Sequence, residues 1–248
     1  MKLVVTAFFM AWGMFWMVPC PLKWWDERAR KGMLLFLPVI GLLNGLVWAL
    51  FVWLREKYLP GLLGAGLLTV IPYVFSGFIH LDGYMDCADA VLSRRDLETR
   101  RKILKDSHVG SFAVVALAIL FLVEYSVFAG YTLGKKLWLL PLVCAVPRSY
   151  AILRVLTVKP IPGSSYERMF ADGVPGWAKL GAVGILALLV VLPPLLWGRA
   201  GLCGLFGALG TALTIWYIRA DLGGMSGDVS GAGITVGELC ALAALALL

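Results

Sequence analysis

Long apolar runs separated by short polar breaks set the rhythm of this chain. They fall at 3–19, 33–54, 61–80, 110–130, 136–153, 177–197, 201–218 and 234–248. Runs near twenty residues match the length of helix needed to cross hydrocarbon. Backbone polar groups in lipid must be satisfied within the segment, so each run is expected to be helical. The pattern predicts an all-α fold, a polytopic membrane helix bundle of about seven to eight hydrophobic segments. The first and last are short enough to be re-entrant or interfacial. Glycines at 41, 45, 64, 66, 181, 184, 204, 207 and 210 give small-xxx-small spacings suited to close helix packing. No polar stretch is long enough to bury a core of its own, so residues 1–248 read as a single membrane domain. The opening MKLVVTAFFMAWGMFWMVP resembles a secretory leader in hydrophobicity. It lacks a clear small-residue cleavage site and is full of aromatics, so it reads as a retained segment.

Composition sharpens this picture. Of 248 residues, 60% are hydrophobic and 15% charged, with a mean hydropathy of +0.86. Soluble domains rarely exceed about half apolar residues. The five cysteines are scattered without a CxxC pair, mostly inside apolar runs, which argues against a zinc site or a disulfide framework. Only His80 and His108 are histidines, which makes a histidine-based metal site a poor reading. Lys and Arg fall unevenly on alternate loops. Loops 20–32, 81–109, 154–176 and 219–233 carry fourteen, and the intervening turns carry five. The positive-inside rule places the fourteen in the cytoplasm. All long loops then lie on the cytoplasmic face, with active-site segments expected at 80–110 and 221–233. The net charge of +7 suits contact with anionic lipid or with phosphates.

One span ends in FSGFIHLDGYMDCADA, which holds Asp82, Asp86 and Asp89. At i, i+4 and i+7 they fall within roughly a 60° arc of a helix. Like charges at that spacing repel, and a membrane boundary makes their desolvation worse. A divalent cation compensates directly, and carboxylates are the ligands Mg²⁺ prefers, shared with substrate phosphates. Asp82, Asp86 and Asp89 are therefore the expected metal ligands and catalytic residues. Gly83 leaves open backbone beside the first of them for close approach of a ligand. The run SRRDLETRRKILKDSHVG, 93–110, follows with Arg94, Arg95, Arg100, Arg101, Lys102 and Lys105. Topology alone accounts for some of these charges. An acidic ligand set followed by guanidinium forks also suits a pyrophosphate site. Nucleic acid is disfavoured, because the loop is short and lacks interleaved aromatics.

Two further features stand out. DLGGMSGDVSGAG, 221–233, sets Asp228 between glycines on the same expected face. It reads as a Gly/Ser-rich turn whose amides, Gly227 included, meet phosphate oxygens, or else as an ordinary loop. Arg148 lies inside an expected span, where a charge faces a partner or a cavity. An aspartate or a bound anion is the expected partner.

HLDGYMDCADA followed by KDSHVGSF resembles the membrane-bound cobalamin synthase family, the adenosylcobinamide-GDP ribazoletransferases. The matching residues are His80, Leu81, Asp82, Gly83, Asp86 and Asp89, then Lys105, Asp106, Ser107 and Gly110. Gly227, Asp228, Gly231 and Ala232 match the family's C-terminal segment, and Pro19 and Pro21 its N-terminal entry. The order and spacing hold along essentially the whole chain. Ala90–Val91 and His108 depart from residues common in the family, glycines and a basic residue respectively.

The resemblance implies transfer of phosphocobinamide from adenosylcobinamide-GDP to α-ribazole or its 5′-phosphate, with release of GMP and with Mg²⁺ as cofactor. A corrinoid nucleotide, α-ribazole and the lipid bilayer are the implied partners; a homo-oligomer stays open. The expected location is the cytoplasmic membrane of a bacterium or archaeon, with the site facing the cytoplasm. Asp89 or Asp228 is the expected general base. Arg94, Arg95 and Lys105 are expected phosphate clamps, with His80, Asp106, Ser107 and Arg148 as further substrate contacts. A CDP-alcohol phosphotransferase is the nearest rival, but Asp82–Gly83 is followed by Tyr84, Met85 and Asp86 without that family's Ala-Arg. A cation-coupled transporter would place its acidic residues nearer the bilayer midplane, between internal repeats.

Overall fold

The structure is a computed structural model that describes residues 2–59, 61–170 and 173–248. The described residues form helices α1 (Lys2–Phe15), α2 (Arg30–Met33), α3 (Leu37–Tyr58), α4 (Leu62–Phe75), α5 (Ile79–Leu92) and α6 (Leu97–Ile103). The second half holds α7 (Ser111–Gly130), α8 (Leu140–Thr157), α9 (Ser165–Met169), α10 (Gly176–Trp197), α11 (Cys203–Leu222) and α12 (Gly227–Leu247). The all-α membrane bundle expected from the hydrophobic runs is what the chain forms. Among the described residues, five stretches are long and apolar enough to cross a membrane, or six if the bent pair α4–α5 counts as one span. The longest, Gly176–Leu222, covers 47 residues. It is a hairpin of α10 and α11: a Cβ at Gly201 would lie 2.3 Å from the Pro193 carbonyl oxygen, so the chain doubles back there.

The expected span 61–80 is broken. Helix α4 ends in a Schellman motif. The Gly77 amide donates to the Val74 carbonyl at 3.0 Å and the Phe78 amide to the Tyr73 carbonyl at 2.9 Å. Gly77 takes the left-handed φ of +64° this requires. Helix α5 then leaves at a 95° bend. The end of the chain differs as well. Residues 227–233, expected to be loop, are the first two turns of α12. Their glycines serve packing: a Cβ at Gly231 would lie 2.9 Å from the His80 carbonyl oxygen, and one at Gly233 would lie 2.6 Å from Ile215.

Helices α8 and α12 form the interior, and most of each apolar window is buried. Helix α3 packs on α8 through Gly41 and Gly45, where added Cβ atoms would strike the backbone of Cys144 and Leu140. Helix α11 packs on α12 through Gly207, Gly210 and Gly237. Buried polar groups find partners across these seams. Pro72 cannot donate to the Leu68 carbonyl one turn back, and the Trp48 indole N–H donates there instead, at 2.9 Å. Asn44 donates to the Pro72 carbonyl at 3.1 Å, and the Tyr73 hydroxyl to Glu124 Oε1 at 2.6 Å.

Arg148, 1% exposed, is paired with Glu238 of α12 and donates to the Cys144 carbonyl at 2.7 Å. Its expected role as an anion contact is corrected: it clamps α8 to α12 and lines none of the cavities described below. Removing one partner of a buried pair strands the other charge. Arg148→Ala is expected to destabilise the detergent-solubilised protein by roughly 3–5 kcal/mol. The double variant R148M/E238L should recover most of that loss. Thermal unfolding followed by size-exclusion chromatography reads both.

Candidate functional site

The site forms where α5 crosses the start of α12. Gly83 faces Asp228, and a Cβ at position 83 would lie 2.8 Å from the Asp228 Cα. Gly231, one turn further along α12, faces His80 in the same way. Two glycines thus bring the acidic face of α5 against the one acidic residue in the first turn of α12. Asp82 is exposed, Asp86 half-buried and Asp89 buried. Asp86 has the charges of Asp82, Asp228 and Asp89 for neighbours. Among the described residues, Asp82 and Asp86 have no ion-pair partner, and Asp228 meets only the Ser226 hydroxyl, at 3.2 Å.

A cavity of about 230 Å³ opens here, walled by Met14 and Phe15 of α1, Arg30 and Met33 of α2, Ile79, His80 and Asp82 of α5, Tyr166 of α9, and Gly227, Asp228 and Ser230 of α12. A second space of about 520 Å³, between α1 and the Ser76–Phe78 turn, meets it at Met14, Ile79 and Asp82. His80 stacks on Phe15 with ring centroids 6.2 Å apart, and its Nε2 has no hydrogen-bond partner among the described residues.

Asp89 belongs elsewhere. Its carboxylate accepts from the Gly110 amide at 2.6 Å and the Ala113 amide at 3.0 Å. It caps the N-terminus of α7, where free amides and the helix dipole favour an anion. A Cβ at Gly110 would lie 2.5 Å from that carboxylate, so a larger residue there would push Asp89 off the cap. The expected three-ligand set of Asp82, Asp86 and Asp89 is therefore corrected. Among the described residues no group of three or more His, Cys, Asp or Glu side chains is arranged to hold a metal ion.

The basic run also lies apart. Arg94 and Arg95 are exposed beyond the far end of α5, about 18 Å along its axis from Asp82. They are too distant to clamp a phosphate held at the cavity, which corrects that expectation. Arg100 pairs with Asp221, and Arg101 donates to the Leu222 carbonyl at 2.9 Å, so both tie α6 to α11. Lys105 reaches the turn at Gly163. Asp106 lines a separate cavity with Asp89 and Ser93. It accepts from the His108 amide at 3.0 Å and meets the His108 ring at 2.7 Å. That bond holds the Asp106 carboxyl below its ordinary range and the imidazole above its own. Ser107 is exposed and lines neither cavity.

Sequence reasoning missed Arg30 and Tyr166, which sit in loops read only for their charge. A capping signal was present for α9. The Ser164 hydroxyl accepts from the Glu167 amide at 3.2 Å, and Glu167 accepts from the Gly163 amide at 2.6 Å. Backbone bonds of Ile161 to Met225 (2.9 Å) and Met225 to Lys159 (3.0 Å) then pin α9 over the start of α12. Tyr166 is thereby set beside Ser230 and Asp228.

Asp89→Ala is expected to lower stability by about 1–2 kcal/mol through loss of the α7 cap. Asp82→Asn should leave stability near wild type and act on turnover. Melting temperatures of the two variants separate these roles.

No solved structure matches the chain. Adenosylcobinamide-GDP ribazoletransferase of Clostridium perfringens strain 13 is 36% identical over 240 residues, 93% of each chain. The enzyme of the same name from Clostridium botulinum strain Alaska E43 is 33% identical over 248 residues, 98% of this chain and 97% of that protein. A profile of the cobalamin-5-phosphate synthase family matches residues 7–246, which include every residue that walls the cavity, and the chain belongs to that family.

Proposed function

We propose that the cavity between α5 and α12 is the active site of a cobalamin nucleotide-loop transferase. The chain joins adenosylcobinamide-GDP to α-ribazole, or to its 5′-phosphate, and releases GMP. One observation carries the placement of the site: Asp82 and Asp228 line one cavity at the glycine crossing. A lipid phosphotransferase and a cation-coupled transporter are not favoured.

In the reaction a ribose hydroxyl oxygen attacks the phosphorus that bears the cobinamide. The new P–O bond forms as the bond to the GMP phosphate breaks. Asp228 is placed to take the hydroxyl proton, since it lines the cavity, whereas Asp89 is engaged at α7. Asp82 and Asp86, one turn apart and without basic partners, suit Mg²⁺, which binds through one or two carboxylates plus water and phosphate oxygens. When bound, the ion would neutralise the pyrophosphate and the departing phosphate. His80 and Gly227 line the cavity for substrate contact. The excess of basic residues on the loops that build this end supports a cytoplasmic orientation in the cytoplasmic membrane.

The test is turnover by purified protein with adenosylcobinamide-GDP and α-ribazole, following GMP and corrinoid product by mass spectrometry. Chelation should abolish product and added Mg²⁺ should restore it. Asp228→Asn should lower kcat by about 10²- to 10⁴-fold. The double variant R94A/R95A should keep most of the wild-type rate. Full activity in Asp228→Asn would remove that residue from the chemistry.

A further inference from the structure

We propose that Arg30 is the guanidinium that binds the donor's pyrophosphate in this cavity, a proposal that rests on the transferase reading above. Two carboxylates, Asp82 and Asp228, line the cavity, yet its substrate is a pyrophosphate. A cation must therefore come from the walls as well as from any bound metal. Among the described residues lining the cavity, Arg30 is the one cation. The other basic candidates are placed elsewhere: Arg94 and Arg95 beyond the far end of α5, Arg100 on Asp221, Arg101 on Leu222, Arg148 on Glu238, and Lys105 at the Gly163 turn, outside the cavity lining.

Arg30 is held loosely. Its one ion pair among the described residues is a 3.3 Å contact from a single nitrogen to Glu27, which is itself 67% exposed. Most of the guanidinium fork is therefore available for bidentate recognition of a phosphate. Two other groups converge on the same space. Helix α12 presents its N-terminus there, with Gly227 exposed and nothing within 4 Å of the place a Cβ would occupy. A 21-residue helix offers both free amides and a favourable dipole to an anion. His80 is 6% exposed, lines the cavity, and has an unpartnered Nε2. A buried polar atom without a partner in a cavity wall points to a polar ligand.

The test has two readouts. The first is binding of inorganic pyrophosphate, in the presence of Mg²⁺, to wild type, Arg30→Ala, Arg30→Lys and Glu27→Gln, measured by isothermal titration in detergent. The second is KM for each substrate in the transferase assay. Arg30→Ala is expected to weaken pyrophosphate binding, and to raise KM for the corrinoid donor, by about 10- to 100-fold. KM for α-ribazole should stay within about twofold of wild type. Arg30→Lys, which keeps the charge and loses the fork, should fall between. Glu27→Gln should bind pyrophosphate as well as wild type or better. If Arg30 merely braced α2 through Glu27, Glu27→Gln would mimic Arg30→Ala, and that result overturns the proposal. Pyrophosphate binding unchanged in Arg30→Ala and Arg30→Lys also overturns it, as does a wild type that turns over the donor without binding pyrophosphate. A wild type that binds pyrophosphate through Arg30 yet turns over no corrinoid would instead sink the transferase reading and leave the clamp standing.

Discussion

The close crossing of α5 and α12 is the constraint on which the site depends. Helices normally sit 8–10 Å apart, held off by the side chains between them. Gly83 and Gly231 remove the side chains that would hold them off. The same contact explains why the acidic set tolerates its own repulsion. Packing along the rest of α12 holds the charges together, because Gly207, Gly210 and Gly233 seat that helix against α11. The energy of a well-packed interior is thus applied to an electrostatically unfavourable corner.

Charge deeper in the bundle has the opposite character. Arg148 and Glu238 neutralise each other, and Glu124 is engaged by Tyr73. Helix α12 carries two acidic residues, one paired and one not. Glu238 is answered within the protein, while Asp228, ten residues earlier, lines the open cavity. Such a division suits a helix that must be fixed in depth at one point and reactive at another.

The helical class and most of the apolar spans were legible from periodicity, and the carboxylates at the end of an apolar run pointed to the place where Asp82 and Asp228 line one cavity. The three-aspartate set was misjudged because helical spacing reports which face a residue shares, not which neighbour meets it. Asp89 lies on the expected face but meets the start of α7. Residues 227–233 were read as a turn because glycine signals both turns and close packing, and local sequence does not separate the two. Arg148 lay where a partner was required, and that partner, Glu238, is 90 residues away. Arg30 and Tyr166 were invisible for a related reason: each owes its place to tertiary contacts made by short helices with no strong pattern of their own.

The break between α4 and α5 leaves the last carbonyls of α4 to find partners outside the regular helix ladder. One of them, on Phe75, accepts the Met17 amide at 2.8 Å from the segment that follows α1. The segment after α1 is thereby tied to the broken span. Helix α1 walls the cavity at Met14 and Phe15, opposite Asp82 of α5. A segment with the hydrophobicity of a secretory leader is thus part of the wall of the candidate site.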